Sequence, residues 1–284
     1  MEKKCYPTIK EAVFLCIILF VIQIGTGFII GLISGLYGFG AGSKIMERGT
    51  YFIVILSYAL VIYRVYKKSH KKISEILMFN NVSLSIWLSI IIFIPGFTLI
   101  SQRIYYIIKN LAPMPQFLQL SLQQKTFYIV KERLFISLLL MAIIPSFLFE
   151  ILFRGIIFNG FRENYSQKKS ILISALLYWI VVSEFILYLT FVTGFLFGII
   201  SAWICIKTKS LIPGILINLF QNMFEIFLEK FSDITPIARL YMAYTVHPLK
   251  LEWFDAIGLV LAAAGIFLML ICIKKYNTAP DAST

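Results

Sequence analysis

Charge is scarce in this chain: Asp, Glu, Lys and Arg make up 14% of its 284 residues, where a soluble domain carries about a quarter. With 60% hydrophobic residues and a mean hydropathy of +0.87, that scarcity excludes an ordinary water-soluble globule. Histidine is nearly missing, with two residues in all: His70 in the basic run KKSHKK and His247 in YTVHPLK, both read as solvated loop residues. The four cysteines (Cys5, Cys16, Cys205, Cys272) show no CxxC or ligand-like spacing, which argues against a disulfide framework and against zinc. No cofactor is expected. The stretch GFGAGSK (38–44) lacks the preceding strand and the GxxxxGK[ST] spacing of a phosphate loop. Internal repeats and paired broken spans are also missing, and with them the usual outline of a transporter.

What is present is a series of apolar runs. About 20 apolar residues cross roughly 30 Å of hydrocarbon, and residues 12–43 contain no charge. That run is too long for the core of a cleavable leader, so it reads as a retained first span. Further spans are expected at 50–66, 76–101, 134–153, 170–186, 188–206, 211–229 and 256–273, after a first at 12–36. Within 170–206 Glu184 is the single charge and marks a turn between two spans. The fold class that follows is all-α: a polytopic membrane helical bundle of about eight transmembrane helices. Gly27, Gly31 and Gly35 recur every four residues in the first span and are expected to support close helix packing.

The formal net charge of +12 does not point to nucleic acid, because the lysines and arginines punctuate the apolar runs as topology signals do. The denser short-loop clusters (Lys3, Lys4 and Lys10; Arg64 to Lys72; Arg162, Lys168 and Lys169; Lys207 and Lys209; Lys274 and Lys275) place both termini in the cytoplasm. The loop 102–133 is then external and carries an interfacial helix. Three regions are expected: residues 1–133, with the first spans and the external loop; a core at 134–229; and residues 230–284, with an external loop, the last span and a short tail.

An ionisable group inside a span costs about 2.5–3.5 kcal/mol on insertion scales, so it needs a partner. In FEILFRG (149–155), Glu150 and Arg154 lie four apart and can pair across one helical turn. The longer segment FEILFRGIIFNGFRE (149–163) resembles the first motif, Glu-Glu-x-x-x-Arg, of the CPBP family, the CAAX proteases and bacteriocin-processing enzymes also known as Abi proteins. YWIVV (178–182) stands where that family shows Phe-x-x-x-His. FVTGFLFGIISAWICIKTKSLIPGILINLFQN (191–222) follows its glycine-rich span, basic turn and His-x-x-x-Asn, with Gly194, Gly198 and Pro213 in register. The resemblance covers residues 134–229 and implies a CAAX-protease-like helical core in a bacterial cytoplasmic membrane.

Carried over residue by residue, the family's leading glutamate is Phe149, its second-motif histidine is Val182 and its third-motif histidine is Asn218, while Glu150, Arg154 and Asn222 match. The resemblance assigns water activation to the leading glutamate and the second-motif histidine, and oxyanion stabilisation to the third motif. Neither phenyl nor isopropyl can accept a proton, and loss of a general base lowers rates by roughly 10²–10⁴. The expectation is therefore a scaffold, regulator or bacteriocin-immunity-type protein that binds a membrane protein or peptide in the lipid bilayer and no nucleic acid. The alternative is an active intramembrane endopeptidase using Glu150. In either case Glu150, Arg154, Asn218 and Asn222 are the site remnants.

Reporter fusions check the topology. Fusions after Lys72, Lys169 and Lys275 should report cytoplasm, and one near Gln116 the outside. An exchange between the two groups would show the spans to be miscounted, with 50–66 the first suspect.

Overall fold

Backbone amides that enter a bilayer find no water to bond, so an apolar run there must satisfy its own hydrogen bonds by coiling. The computed structural model describes residues 5–37, 44–69, 72, 76–112, 115, 132–183, 187–246 and 252–278, and among them regular structure is helical throughout. In chain order the helices are α1 (Ile9–Tyr37), α2 (Lys44–Ser69), α3 (Leu84–Leu111), α4 (Leu134–Asn164) and α5 (Gln167–Val182). They are followed by α6 (Leu187–Thr208), α7 (Ile212–Lys230), α8 (Pro236–Val246) and α9 (Trp253–Thr278). The stretch 38–43, His70, Glu184, His247 and nearly all of 113–131, including most of the expected interfacial helix, lie outside the described residues.

Among the described residues six helices are long and apolar enough to cross a membrane: α1, α2, α3, α4, α6 and α9. The other expected spans are present as helices of a different character. α5 has 16 residues, about 24 Å at 1.5 Å per residue, which is short of a bilayer core. α7 has 19 residues but carries Asn218, Gln221, Asn222, Glu225 and Glu229. Both pack among the others, α5 against α6 and α4, and α7 against α3, α4, α6 and α8. Neighbouring helices, rather than lipid, cover their polar or short faces. The third span starts later than expected, at Leu84, because residues 78–81 are tied to the α6–α7 turn and the end of α9 instead of continuing a helix.

The most extensive helix pair is α3 with α9, and small residues set their separation. A Cβ at Gly265 would lie 2.6 Å from Phe93 Cα, one at Gly258 3.0 Å from Leu99 Cβ, and one at Gly96 2.7 Å from the Gly258 carbonyl oxygen. The glycines of α1 behave differently. α1 buries Ala12, Leu15, Cys16 and Leu19, a stripe of helical period. At Gly27, by contrast, a Cβ would meet nothing within 4 Å among the described residues. The expected close packing is not seen there, because the packed face of α1 is the other one. The surroundings of Gly31 and Gly35 lie outside the described structure.

Two polar ties close the Lys230 end of the bundle. Arg48 donates from Nε and Nη2 to the two carboxylate oxygens of Glu132 (2.8 and 2.9 Å), while Lys230 donates to the Glu132 backbone carbonyl. Asp255 accepts from Arg103 and from the Tyr244 hydroxyl, which also lies 3.2 Å from the Leu99 carbonyl. Burial, reinforced by the Asp255 carboxylate, pushes the Tyr244 hydroxyl above its ordinary pKa, so it stays a donor and joins α8 to α3 and α9.

The close approach of α3 and α9 makes a direct prediction. Gly265→Ala and Gly96→Ala each destabilise the protein by the about 1–3 kcal/mol typical of overpacking, and so lower its thermal unfolding temperature in detergent. Gly27→Ala, with open space around it, does not. Equal behaviour of all three in a thermal-shift measurement would remove the argument.

Candidate functional site

α4 is not a uniform helix. It widens to π-helical geometry at Leu138–Ile143 and again at Ile151–Phe158, with an ordinary α-helical stretch, Ile144–Glu150, between. The first widening leads into Pro145, whose ring lacks an N–H and clashes with the carbonyl four residues earlier in a regular helix. The second begins one residue after Glu150 and contains Arg154 and Gly155. Such bulges are concentrated at functional sites. A Cβ at Gly155 would lie 3.0 Å from the Ile76 carbonyl oxygen, so this stretch runs directly against the backbone before α3.

Glu150 is fully buried and Arg154 is 1% exposed. Arg154 Nη1 lies 3.1 Å from Glu150 Oε1. That approach is coulombic rather than an aligned hydrogen bond, since neither Nε nor Nη1 of Arg154 has a hydrogen-bond acceptor. The guanidinium donates through Nη2 to the Gly198 carbonyl (3.1 Å) and lies 4.3 Å from the centre of the Tyr178 ring, a cation–π contact. The carboxylate is held from two further helices. Ser201 Oγ donates to Oε2 at 2.9 Å, and Asn218 Nδ2 donates to Oε1. The Tyr178 hydroxyl donates to Asn218 Oδ1 at 2.8 Å, fixing the amide's orientation. α4, α5, α6 and α7 therefore meet at one polar cluster.

Glycines make the room. A Cβ at Gly214 would collide with Glu150 Oε2 and lie 2.8 Å from Cys205 Sγ. At Gly198 it would lie 3.0 Å from Ala175 Cα, and at Gly194 2.9 Å from Trp179 Cδ1. The last two let α6 lie close along α5, which brings the Gly198 carbonyl to Arg154.

Of the residues singled out in the sequence, the structure brings together Glu150, Arg154 and Asn218. Asn222 is apart from them: its Nδ2 reaches Ser146 Oγ at 3.5 Å, the edge of hydrogen-bonding range. Phe149 borders the cluster through aromatic contacts only, its ring 4.9 Å from Tyr58 and 6.4 Å from Tyr178, centre to centre. Val182 is half-buried and packs against the main apolar core. Ser201, Tyr178 and Gly214 complete the cluster and were not read as site residues. A hydroxyl three residues after a glycine within an apolar span was the available signal for Ser201. Among the described residues no group of three or more His, Cys, Asp or Glu could hold a metal ion.

The helices that converge here also carry a family signature. Residues 131–224 match the family model described as Rce1-like, type II CAAX prenyl endopeptidase Rce1-like. The chain has an Rce1-like core. The match spans α4, α5, α6 and most of α7, the same segment whose motifs resemble the CPBP family. No curated protein and no solved structure matches the chain.

Breaking the ion pair of the Rce1-like core leaves one buried charge uncompensated, at about 3–5 kcal/mol. Glu150→Ala and Arg154→Ala should each reduce membrane accumulation and thermal stability by a comparable amount. Variants as stable as the parent would remove the pairing argument.

Proposed function

We propose that this chain is a non-catalytic Rce1-like membrane protein, which binds a membrane protein or membrane-active peptide as a scaffold, regulator or immunity-type factor. The observation that carries this reading is the engagement of Glu150: Asn218 and Ser201 donate to its two oxygens, Arg154 faces it, and no part of it is exposed. A general base needs a free lone pair within about 2.6–3.2 Å of the proton it takes. Both Glu150 oxygens already accept hydrogen bonds, and the carboxylate is sealed from solvent. Asn218, the residue at the third-motif position, gives its amide hydrogen to Glu150 and accepts from Tyr178, so it is not poised for an oxyanion.

The positions that would carry water activation hold Phe149 and Val182, and aromatic neighbours occupy the surroundings of the first. A chain built so largely of membrane helices offers most of its surface to the bilayer, which supports a partner that is itself in or on the membrane. We place it in a bacterial cytoplasmic membrane with both termini inside, on the density of short-loop lysine and arginine.

Proteolysis assays test the reading. The purified protein in lipid, incubated with prenylated and unprenylated peptides ending in a CAAX sequence, should cleave neither above background. Specific cleavage that disappears in Glu150→Gln would overturn the proposal, because that change keeps size and hydrogen bonding while removing the base.

A further inference from the structure

A groove of about 420 Å³ follows the seam of α3, α4 and α7 and is walled by Trp87, Phe147, Leu216 and Phe220, with Phe79 and Ile212 at one end. Its volume falls within the roughly 300–1,000 Å³ of small-ligand pockets, and its lining exposes no polar atom. Phe79 and Phe147 are exposed, so the groove opens sideways from the bundle.

The Phe79 end is built by hydrogen bonds. Leu211 N donates to the Met78 carbonyl (2.8 Å), Asn80 Nδ2 to the Lys209 carbonyl (2.6 Å) and Ser210 Oγ to the Asn80 carbonyl (2.8 Å). The Tyr276 hydroxyl donates to the Asn81 carbonyl at 3.0 Å. These bonds bring the α6–α7 turn, with exposed Lys207 and Lys209, and the end of α9, with exposed Lys274 and Lys275, to the segment that closes the groove. Lys209 sits there at φ 49°, a left-handed conformation uncommon for a residue with a side chain. Residues 76–83, 203–215 and 270–278 contain no Asp or Glu. The segments that meet at the Phe79 end of the groove therefore carry four exposed lysines and, within these ranges, no carboxylate.

We infer that the groove holds one acyl chain of an anionic phospholipid whose headgroup phosphate meets these lysines. A lining without polar atoms gives a peptide backbone nothing to bond, and each unsatisfied backbone group in hydrocarbon costs several kcal/mol. A hydrocarbon chain has no such demand. The net negative headgroup is what distinguishes the occupant from bulk zwitterionic lipid, at about fivefold per basic residue near the membrane surface. The site is separate from Glu150 and does not depend on whether the Rce1-like core is catalytic.

Native mass spectrometry of the full-length protein, released from micelles doped with equal phosphatidylglycerol and phosphatidylcholine, tests this. One phosphatidylglycerol should be retained with at least about 25-fold preference, as expected from two or more lysines at about fivefold each. Lys207→Gln with Lys209→Gln should lower that preference by about tenfold or more, and Leu216→Trp, which fills the groove, should lower retention of the lipid itself. If the filled variant does not fold, phosphatidylglycerol with brominated chains should quench Trp87 in a variant whose Trp179, Trp203 and Trp253 are Phe, and do so more strongly than brominated phosphatidylcholine. Equal retention of the two lipids, a preference that survives loss of both lysines, or equal quenching by the two brominated lipids would each overturn the inference.

Discussion

A buried charge keeps a penalty of several kcal/mol even after the protein relaxes around it, and the helices around Glu150 are arranged to offset that penalty. Arg154, one turn along α4, supplies the opposite charge; Ser201 from α6 and Asn218 from α7 supply hydrogen bonds. The arginine needs support in turn and receives it from the Gly198 carbonyl and the Tyr178 ring. The contributions come from all four helices, two of them from α6, so the ion pair fixes how α4, α5, α6 and α7 sit relative to one another. Lipid gives helices little hydrophobic reason to associate, since the tails are as apolar as leucine. A polar cluster that is satisfied only when four helices meet supplies the specificity that greasy surfaces lack.

The α3–α9 pair uses the other available means. There the contact depends on missing side chains: Gly96, Gly258 and Gly265 let the backbones approach until van der Waals contact holds them. Both means appear together at Gly214, where the absence of a Cβ leaves space for the Glu150 carboxylate. In this fold glycine on an apolar helix is read correctly only when its partner is known. Gly27 on α1 belongs to the same residue class, and among the described residues nothing lies within 4 Å of where its Cβ would be.

That contrast explains how much of the molecule was legible in the sequence. The spans largely were, because an uncharged run of bilayer length has few alternatives to a membrane helix, although the third helix runs Leu84–Leu111 rather than 76–101 and the fourth continues to Asn164 rather than 153. The Glu150–Arg154 pair was legible because charges are rare enough in such runs for spacing to carry meaning. α5 and α7 were harder: being covered by neighbours permits shortness in one and polarity in the other, and no local pattern records who the neighbours are. Ser201 and Tyr178 were not legible as site residues for the same reason, since hydroxyls in apolar helices commonly bond their own backbone, as Thr26 and Ser146 do here. The π-helical stretches of α4 have no composition signal beyond Pro145.

The phenylalanine before Glu150 then has a physical account. A second glutamate at position 149 would set two carboxylates against the single guanidinium of Arg154, and an unbalanced negative charge in a dry cluster is costly. Phe149 adds no charge, Val182 adds apolar packing, and Asn218 gives a donor to the carboxylate. Phe149 instead lies against Tyr58 and Tyr178, in an aromatic group whose Tyr178 also braces Arg154 and Asn218. What is left is one acid, one base and the hydrogen bonds that hold them, a neutral cluster that orders four helices.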